Sequence, residues 1–118
     1  MTSKADVIAF LKGFKEKLAF WDVLFSNRTK NMQTLADLEI SQSKAKEYLT
    51  ELKTEEYSDG PMTDIVYQGA DMWVFGKQIQ AKEIYIKVTM GQESDRVVCV
   101  SFHFAEHPMN YPLKMKEL

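Results

Sequence analysis

Two stretches of alternating apolar and polar residues near the C-terminus constrain the fold more than any other feature of the sequence. They occupy residues 82–90 and 96–104, and the polar segment 91–95 separates them. Their apolar positions are Ile84, Ile86, Val88, Met90, Val98, Val100, Phe102 and Phe104. A period of two is typical of half-buried strands, and a short connection containing glycine is typical of a hairpin. We therefore predict an antiparallel β-hairpin.

The apolar positions also predict the register of this hairpin. Pairing Val88 with Val98 brings the two apolar faces together and places Tyr85 opposite Ser101. His103 is then one diagonal step from Tyr85, within reach across the strands. The polar face predicted in this way carries Tyr85, Lys87, Ser101 and His103.

These side chains include the groups that cleave an RNA backbone without a metal ion. An imidazole at His103 can exchange a proton near neutral pH, and an ammonium at Lys87 can stabilise the charged phosphorus centre. Tyr85 can orient the phosphate or stack on a base. Further RNA contacts are predicted for Lys77, Arg96, Ser101, His107 and Tyr111. The alternative is structural, because polar residues are common on the wet face of an antiparallel sheet.

The rest of the chain predicts helices that support this hairpin. Apolar residues at helical spacing predict a first helix over residues 4–18. Ser3 and Asp6 have the spacing of a capping box at its start. Strands are predicted over residues 20–25 and 71–79. Two short helices are predicted over residues 35–40 and 42–52, and a loop over residues 54–64. We expect one α+β domain over residues 1–118, with N-terminal helices on one face of a small antiparallel sheet. The sheet would end in a three-strand meander, followed by an extended tail containing Pro108 and Pro112.

Composition narrows the class of function. The formal net charge is −2, so any nucleic-acid site must be a local patch. The single Cys99 excludes an internal disulfide, and His103 and His107 do not have metal-ligand spacing on a strand, so neither a metal nor another cofactor is expected. No apolar run approaches the roughly 20 residues that span a bilayer. We expect a cytoplasmic protein without a membrane partner.

Residues 34–53 suggest a different function. Two short helices joined by a tight turn are typical of a helix-turn-helix DNA binder, in which Gln42, Lys44 and Lys46 would face DNA. The nearby Glu47 and Glu51 would repel the phosphate backbone. Ordinary helix packing is the preferred interpretation of this segment.

Residues 51–104 resemble the C-terminal half of MqsR-type toxins, the RelE-like ribonucleases of bacterial toxin-antitoxin systems. The resemblance lies in an acidic-aromatic stretch at residues 55–57, a Tyr-x-Lys strand at Tyr85 and Lys87, and a terminal strand that ends in Val100, Ser101 and Phe102. It implies a RelE-like fold, an endoribonuclease acting on messenger RNA and a cognate antitoxin partner. A non-catalytic RelE-like module that binds protein or nucleic acid is the alternative.

The resemblance also implies specific site residues. The active-site tyrosine of the family falls on Tyr85, and a family lysine falls on His103, which keeps a possible cation. A family glutamine falls near Met72 and a second family lysine near Ser58, and neither side chain can do the same job.

Overall fold

The computed structural model describes residues 2–64 and 69–114, which form three α-helices, one short 3-10 helix and five strands. The helices are α1 (Lys4–Trp21), α2 (Thr29–Leu38) and α3 (Gln42–Thr50), and the 3-10 helix is Thr54–Glu56. The strands are β1 (Val23–Phe25), β2 (Tyr57–Met62), β3 (Met72–Ile79), β4 (Lys82–Thr89) and β5 (Val97–Phe104). The protein is therefore an α+β protein, as predicted.

The first helix begins as predicted and ends later. The Ser3 side chain accepts a hydrogen bond from the backbone N–H of Asp6, and the Asp6 carboxylate accepts one from the backbone N–H of Ser3, so the capping box is complete. The predicted apolar stripe is buried: Val7, Phe10, Leu11, Phe14 and Leu18. The predicted strand over residues 20–25 is wrong at its start, because Phe20 and Trp21 extend α1 and only Val23–Phe25 pairs with the sheet.

The second and third helices pack their apolar sides into the core. α2 begins at Thr29, earlier than predicted, and it buries Leu35 and Leu38. Ser41 caps α3 by accepting a hydrogen bond from the backbone N–H of Lys44. On α3, the ammonium of Lys44 lies 3.5 Å from the carboxylate of Glu47, and the ammonium of Lys46 lies 3.0 Å from the carboxylate of Asp22. These carboxylates partly neutralise both lysines.

The sheet has the strand order β1-β5-β4-β3-β2. The predicted meander of β3, β4 and β5 is confirmed. The sheet is nevertheless mixed and not purely antiparallel, because β1 pairs with β5 in parallel. The loop predicted over residues 54–64 is also wrong: β2 forms there, as an irregular edge strand opposite β3. Pro61 is accommodated because an edge strand has one side without a partner.

The register of the β4–β5 hairpin differs from the predicted one. Tyr85 lies opposite His103 and Lys87 opposite Ser101, and the register then shifts so that Val88 lies opposite Cys99. Val100 is the extra residue at this bulge. A bulge changes the face to which the following residues point. Before it, Val97 and Cys99 are buried in the core, whereas the predicted core positions Val98 and Val100 are only half-buried.

The helices and one face of the sheet share one hydrophobic core. On this core face, Phe75, Ile86 and Phe102 lie side by side across three strands, and all three are fully buried. The opposite side is called the outer face below, and its residues are Val74, Gly76, Tyr85, Lys87, Ser101 and His103. None of the helices in the described residues is long and apolar enough to cross a membrane.

Candidate functional site

The centre of the outer face is a stacked pair of aromatic rings. Tyr85 and His103 are directly opposite each other on β4 and β5. Their ring centroids are 5.2 Å apart and their planes differ by 11°. The observed register therefore brings the phenol and the imidazole closer together than the predicted diagonal arrangement would.

Lys87 lies beside this pair. Its Nζ atom is 5.9 Å from the centroid of the Tyr85 ring, and its side chain is half-buried. Residues two apart on a strand point to the same side, so alternation places the ammonium next to the phenol. Its partner across the strands, Ser101, is only 3% exposed and offers little surface to a ligand.

The imidazole of His103 has one nitrogen held by the backbone. Nδ1 lies 3.0 Å from the carbonyl oxygen of Phe104. A carbonyl oxygen only accepts hydrogen bonds, so this contact assigns the proton of a neutral imidazole to Nδ1. Nε2 is then the basic nitrogen, which can accept a proton from a bound molecule.

The surroundings of Tyr85 keep its phenol protonated. Burial raises the pKa of Tyr85, and the nearby negative charge of Asp59 raises it further. At neutral pH the hydroxyl is therefore a hydrogen-bond donor and not a base. Asp59 is not among the predicted site residues, because the turn-forming residues around it predict a loop. β2 instead places Asp59 opposite Val74 on the outer face.

Two predicted phosphate contacts lie away from this cluster. Lys77 pairs with Ile84 on the core face, and its ammonium is 3.2 Å from the Glu56 carboxylate. The Lys77 side chain is only 11% exposed. Arg96 precedes the first residue of β5, next to Asp95, whereas His103 is near the other end of that strand.

The predicted tail residues are divided. Tyr111 crosses the outer face above Gly76, which lies opposite Tyr85, so the tail reaches the site. The exposed His107 instead lines a shallow groove at the end of the sheet, together with Lys82, Phe104 and Pro108.

The positions where polar residues were expected from the resemblance are both on strands. Met72 is the first residue of β3 and lies opposite Thr89, which is four residues along β4 from Tyr85. Ser58 lies on β2 and is half-buried. Neither position adds a titratable group to the outer face.

The chemistry available on the outer face is proton exchange and phosphate binding. Within residues 2–64 and 69–114, no cluster of three or more His, Cys, Asp or Glu side chains could hold a metal ion. These observations define an α+β protein that carries an imidazole, a phenol and an ammonium on one face of its sheet. No family model, curated protein or solved structure matches the chain.

Proposed function

We propose that the protein is a toxin-like endoribonuclease that cleaves RNA on its outer face without a metal ion. The observation that carries this proposal is the cluster of His103, Tyr85 and Lys87 on one side of the sheet, in which Tyr85 stacks on His103 and Lys87 lies over the Tyr85 ring. The resemblance of residues 51–104 to MqsR-type toxins supports the same function. It also supports a RelE-like fold, a cytoplasmic location and a cognate antitoxin that covers the site.

The three side chains divide the reaction between them. Nε2 of His103 takes the proton of a 2′-hydroxyl, and the resulting 2′-oxygen attacks the adjacent phosphorus. The bond from phosphorus to the 5′-oxygen breaks, and the imidazolium returns the proton to this leaving oxygen. The products are a 2′,3′-cyclic phosphate and a free 5′-hydroxyl. Lys87 and the Tyr85 hydroxyl stabilise the additional negative charge at the phosphorus centre.

Cleavage of an oligoribonucleotide by purified protein tests this proposal. The wild type should yield a 2′,3′-cyclic phosphate in the presence of a metal chelator. His103→Ala should lower kcat by about 10²- to 10⁴-fold, the usual contribution of a general acid-base group. Tyr85→Phe and Lys87→Ala should also reduce the rate. Lys82→Ala is the matched control. Lys82 is an exposed lysine on the same strand as Lys87, but it points to the opposite side of the sheet.

Expression in a bacterial host provides a second test. Wild-type protein should arrest growth and deplete messenger RNA, and His103→Ala should do neither at an equal protein level. RNA binding without cleavage by the wild type would favour the non-catalytic binding module. Cleavage that survives His103→Ala would show that the outer face is not the site.

A further inference from the structure

The chain beyond β5 forms a strap across one end of the outer face. The C-terminal strap comprises residues 105–114. It begins where the backbone N–H of Ala105 donates to the carbonyl oxygen of Glu83, at 2.9 Å. An exposed ion pair of 2.6 Å between Lys30 and Glu106 fixes its first turn to α2.

The carboxylate of Glu83 then holds the middle of the strap. One oxygen accepts the backbone N–H of Met109 at 3.1 Å, and the other accepts the hydroxyl of Tyr111 at 2.7 Å. Both contacts are hydrogen bonds to an ionised group and are stronger than bonds between neutral groups. Burial and the bond to Glu83 both raise the pKa of Tyr111, so its phenol remains a donor.

A glycine on β3 makes room for the strap. A Cβ atom added at Gly76 would overlap the Tyr111 hydroxyl and would stand 2.8 Å from the Met109 sulfur. Glycine within a strand often marks a place where another part of the chain approaches closely. Gly76 lies opposite Tyr85, which lies opposite His103. The strap therefore places Tyr111 over β3, beside the stacked pair of Tyr85 and His103.

We infer that Glu83 is a positioning residue that holds Tyr111 as the β3-side wall of the outer-face site, where Tyr111 keeps a single RNA strand against Tyr85. This inference rests on the proposed function. Tyr111 contributes to RNA binding and not to the chemical step. It lies beside the stacked rings, and its hydroxyl already donates to Glu83, so it is not available to the reacting phosphate. His103 and Lys87 perform the chemistry whether the strap is attached or released.

Hydrogen exchange measured by mass spectrometry, without RNA, tests the attachment. Glu83→Gln should increase exchange in peptides that cover residues 105–114, because the carboxylate loses its charge and one of its two acceptor oxygens. Gly76→Ala should do the same with Glu83 intact, because the added methyl group displaces Tyr111. Glu93→Gln is the matched control, as Glu93 is an exposed glutamate in the β4–β5 loop.

Cleavage kinetics test the role of the wall. We expect Glu83→Gln, Gly76→Ala and Tyr111→Ala each to raise KM for an oligoribonucleotide by about tenfold, with kcat within about twofold of the wild type. Tyr111→Phe keeps the ring and should raise KM less. The double variant E83Q/Y111A should be no worse than either single variant, because both changes remove the same wall.

The two assays separate the inference from the proposed function. Unchanged exchange of the strap in Glu83→Gln, or a fall in kcat with KM unchanged, would overturn the positioning role of Glu83 and leave the nuclease intact. A wild type that cleaves no RNA would overturn the proposed function and, with it, the role of Tyr111 as a wall. In that case an increase of strap exchange in Glu83→Gln would still be observed.

Discussion

Asn31 completes the sheet at a point where a strand ends. β1 pairs with β5 only as far as Phe25 opposite Cys99, and β5 continues for five more residues. Beyond that point Asn31 replaces the missing strand. Its Nδ2 atom donates to the carbonyl oxygens of Ser26 and Val100, both at 3.1 Å, and its Oδ1 atom accepts the backbone N–H of Phe102 at 3.0 Å.

Replacing Asn31 should destabilise the whole protein. Asn31→Leu keeps the side-chain size but leaves an N–H and two carbonyl groups without this partner in a site that is only 1% exposed. Since each unsatisfied buried group costs about 1–3 kcal/mol, we expect the free energy of unfolding to fall by about 3 kcal/mol. Urea denaturation measures this change. Asn27→Leu, at an exposed position nearby, is the control and should change stability by under about 0.5 kcal/mol.

At the residue scale, the sequence predicted which side chains share a face but not which distant residues contact each other. The pattern of β4 and β5 predicted that Tyr85, Lys87 and His103 share a face, since alternation alone decides this. The sequence could not show that Asn31 substitutes for a strand, because its partners on β5, Val100 and Phe102, are about 70 residues away. Gly76 did carry a signal, as a glycine within a predicted strand, but only the fold shows that the strap packs against it.

Lys17 connects the first helix to the β4–β5 hairpin. Its ammonium donates to the backbone carbonyl oxygens of Met90 and of Gln92, the latter at 2.6 Å. The terminal methyl group of Met90 also lies close to Gly13 of α1. The loop between β4 and β5 is thereby fixed to the helix that covers the core face.

Removing this ammonium should release the loop without unfolding the sheet. Lys17→Met retains most of the aliphatic chain but cannot donate to either carbonyl oxygen. We expect faster hydrogen exchange over residues 90–96 and a loss of stability of about 1–2 kcal/mol. Lys12→Met, at an exposed position of the same helix, is the control. Equal exchange in both variants would show that strand pairing alone orders the loop.

The predictions for secondary-structure elements succeeded where one periodicity extended over many residues. α1, β4 and β5 were predicted from such a pattern, β3 was predicted from its density of aromatic and β-branched residues, and all four elements are confirmed. The bulge at Val100 could not be predicted from the sequence. Residues 97–100 are all apolar, so either alternating set of them could face the core. β2 was missed because Asp59, Gly60 and Pro61 are residues typical of turns, and only its position at the sheet edge permits them in a strand.

At the scale of the whole molecule, the charge distribution limits how the proposed site can hold RNA. The net charge is −2, and Asp59 and Glu83 lie close to the stacked rings. Lys77 is on the core face, Arg96 lies beyond the far end of β5 from His103, and Lys30 is paired with Glu106. Lys87 is therefore the main cation at the site, and stacking and hydrogen bonds must supply most of the binding energy.

A dependence of RNA binding on salt follows from this arrangement. Each phosphate neutralised by a protein cation contributes a slope of about −0.7 to a plot of log K against log salt concentration for a single strand. With Lys87 as the main cation, about one phosphate is neutralised, and we expect a slope of about −0.7 for wild-type protein. A 2′-O-methyl oligoribonucleotide is suitable for this measurement by fluorescence anisotropy, because it lacks the attacking hydroxyl. Lys87→Ala should bring the slope close to zero, whereas Lys82→Ala should leave it unchanged. A slope steeper than about −4, insensitive to Lys87, would mean that RNA binds to a basic surface elsewhere on the protein.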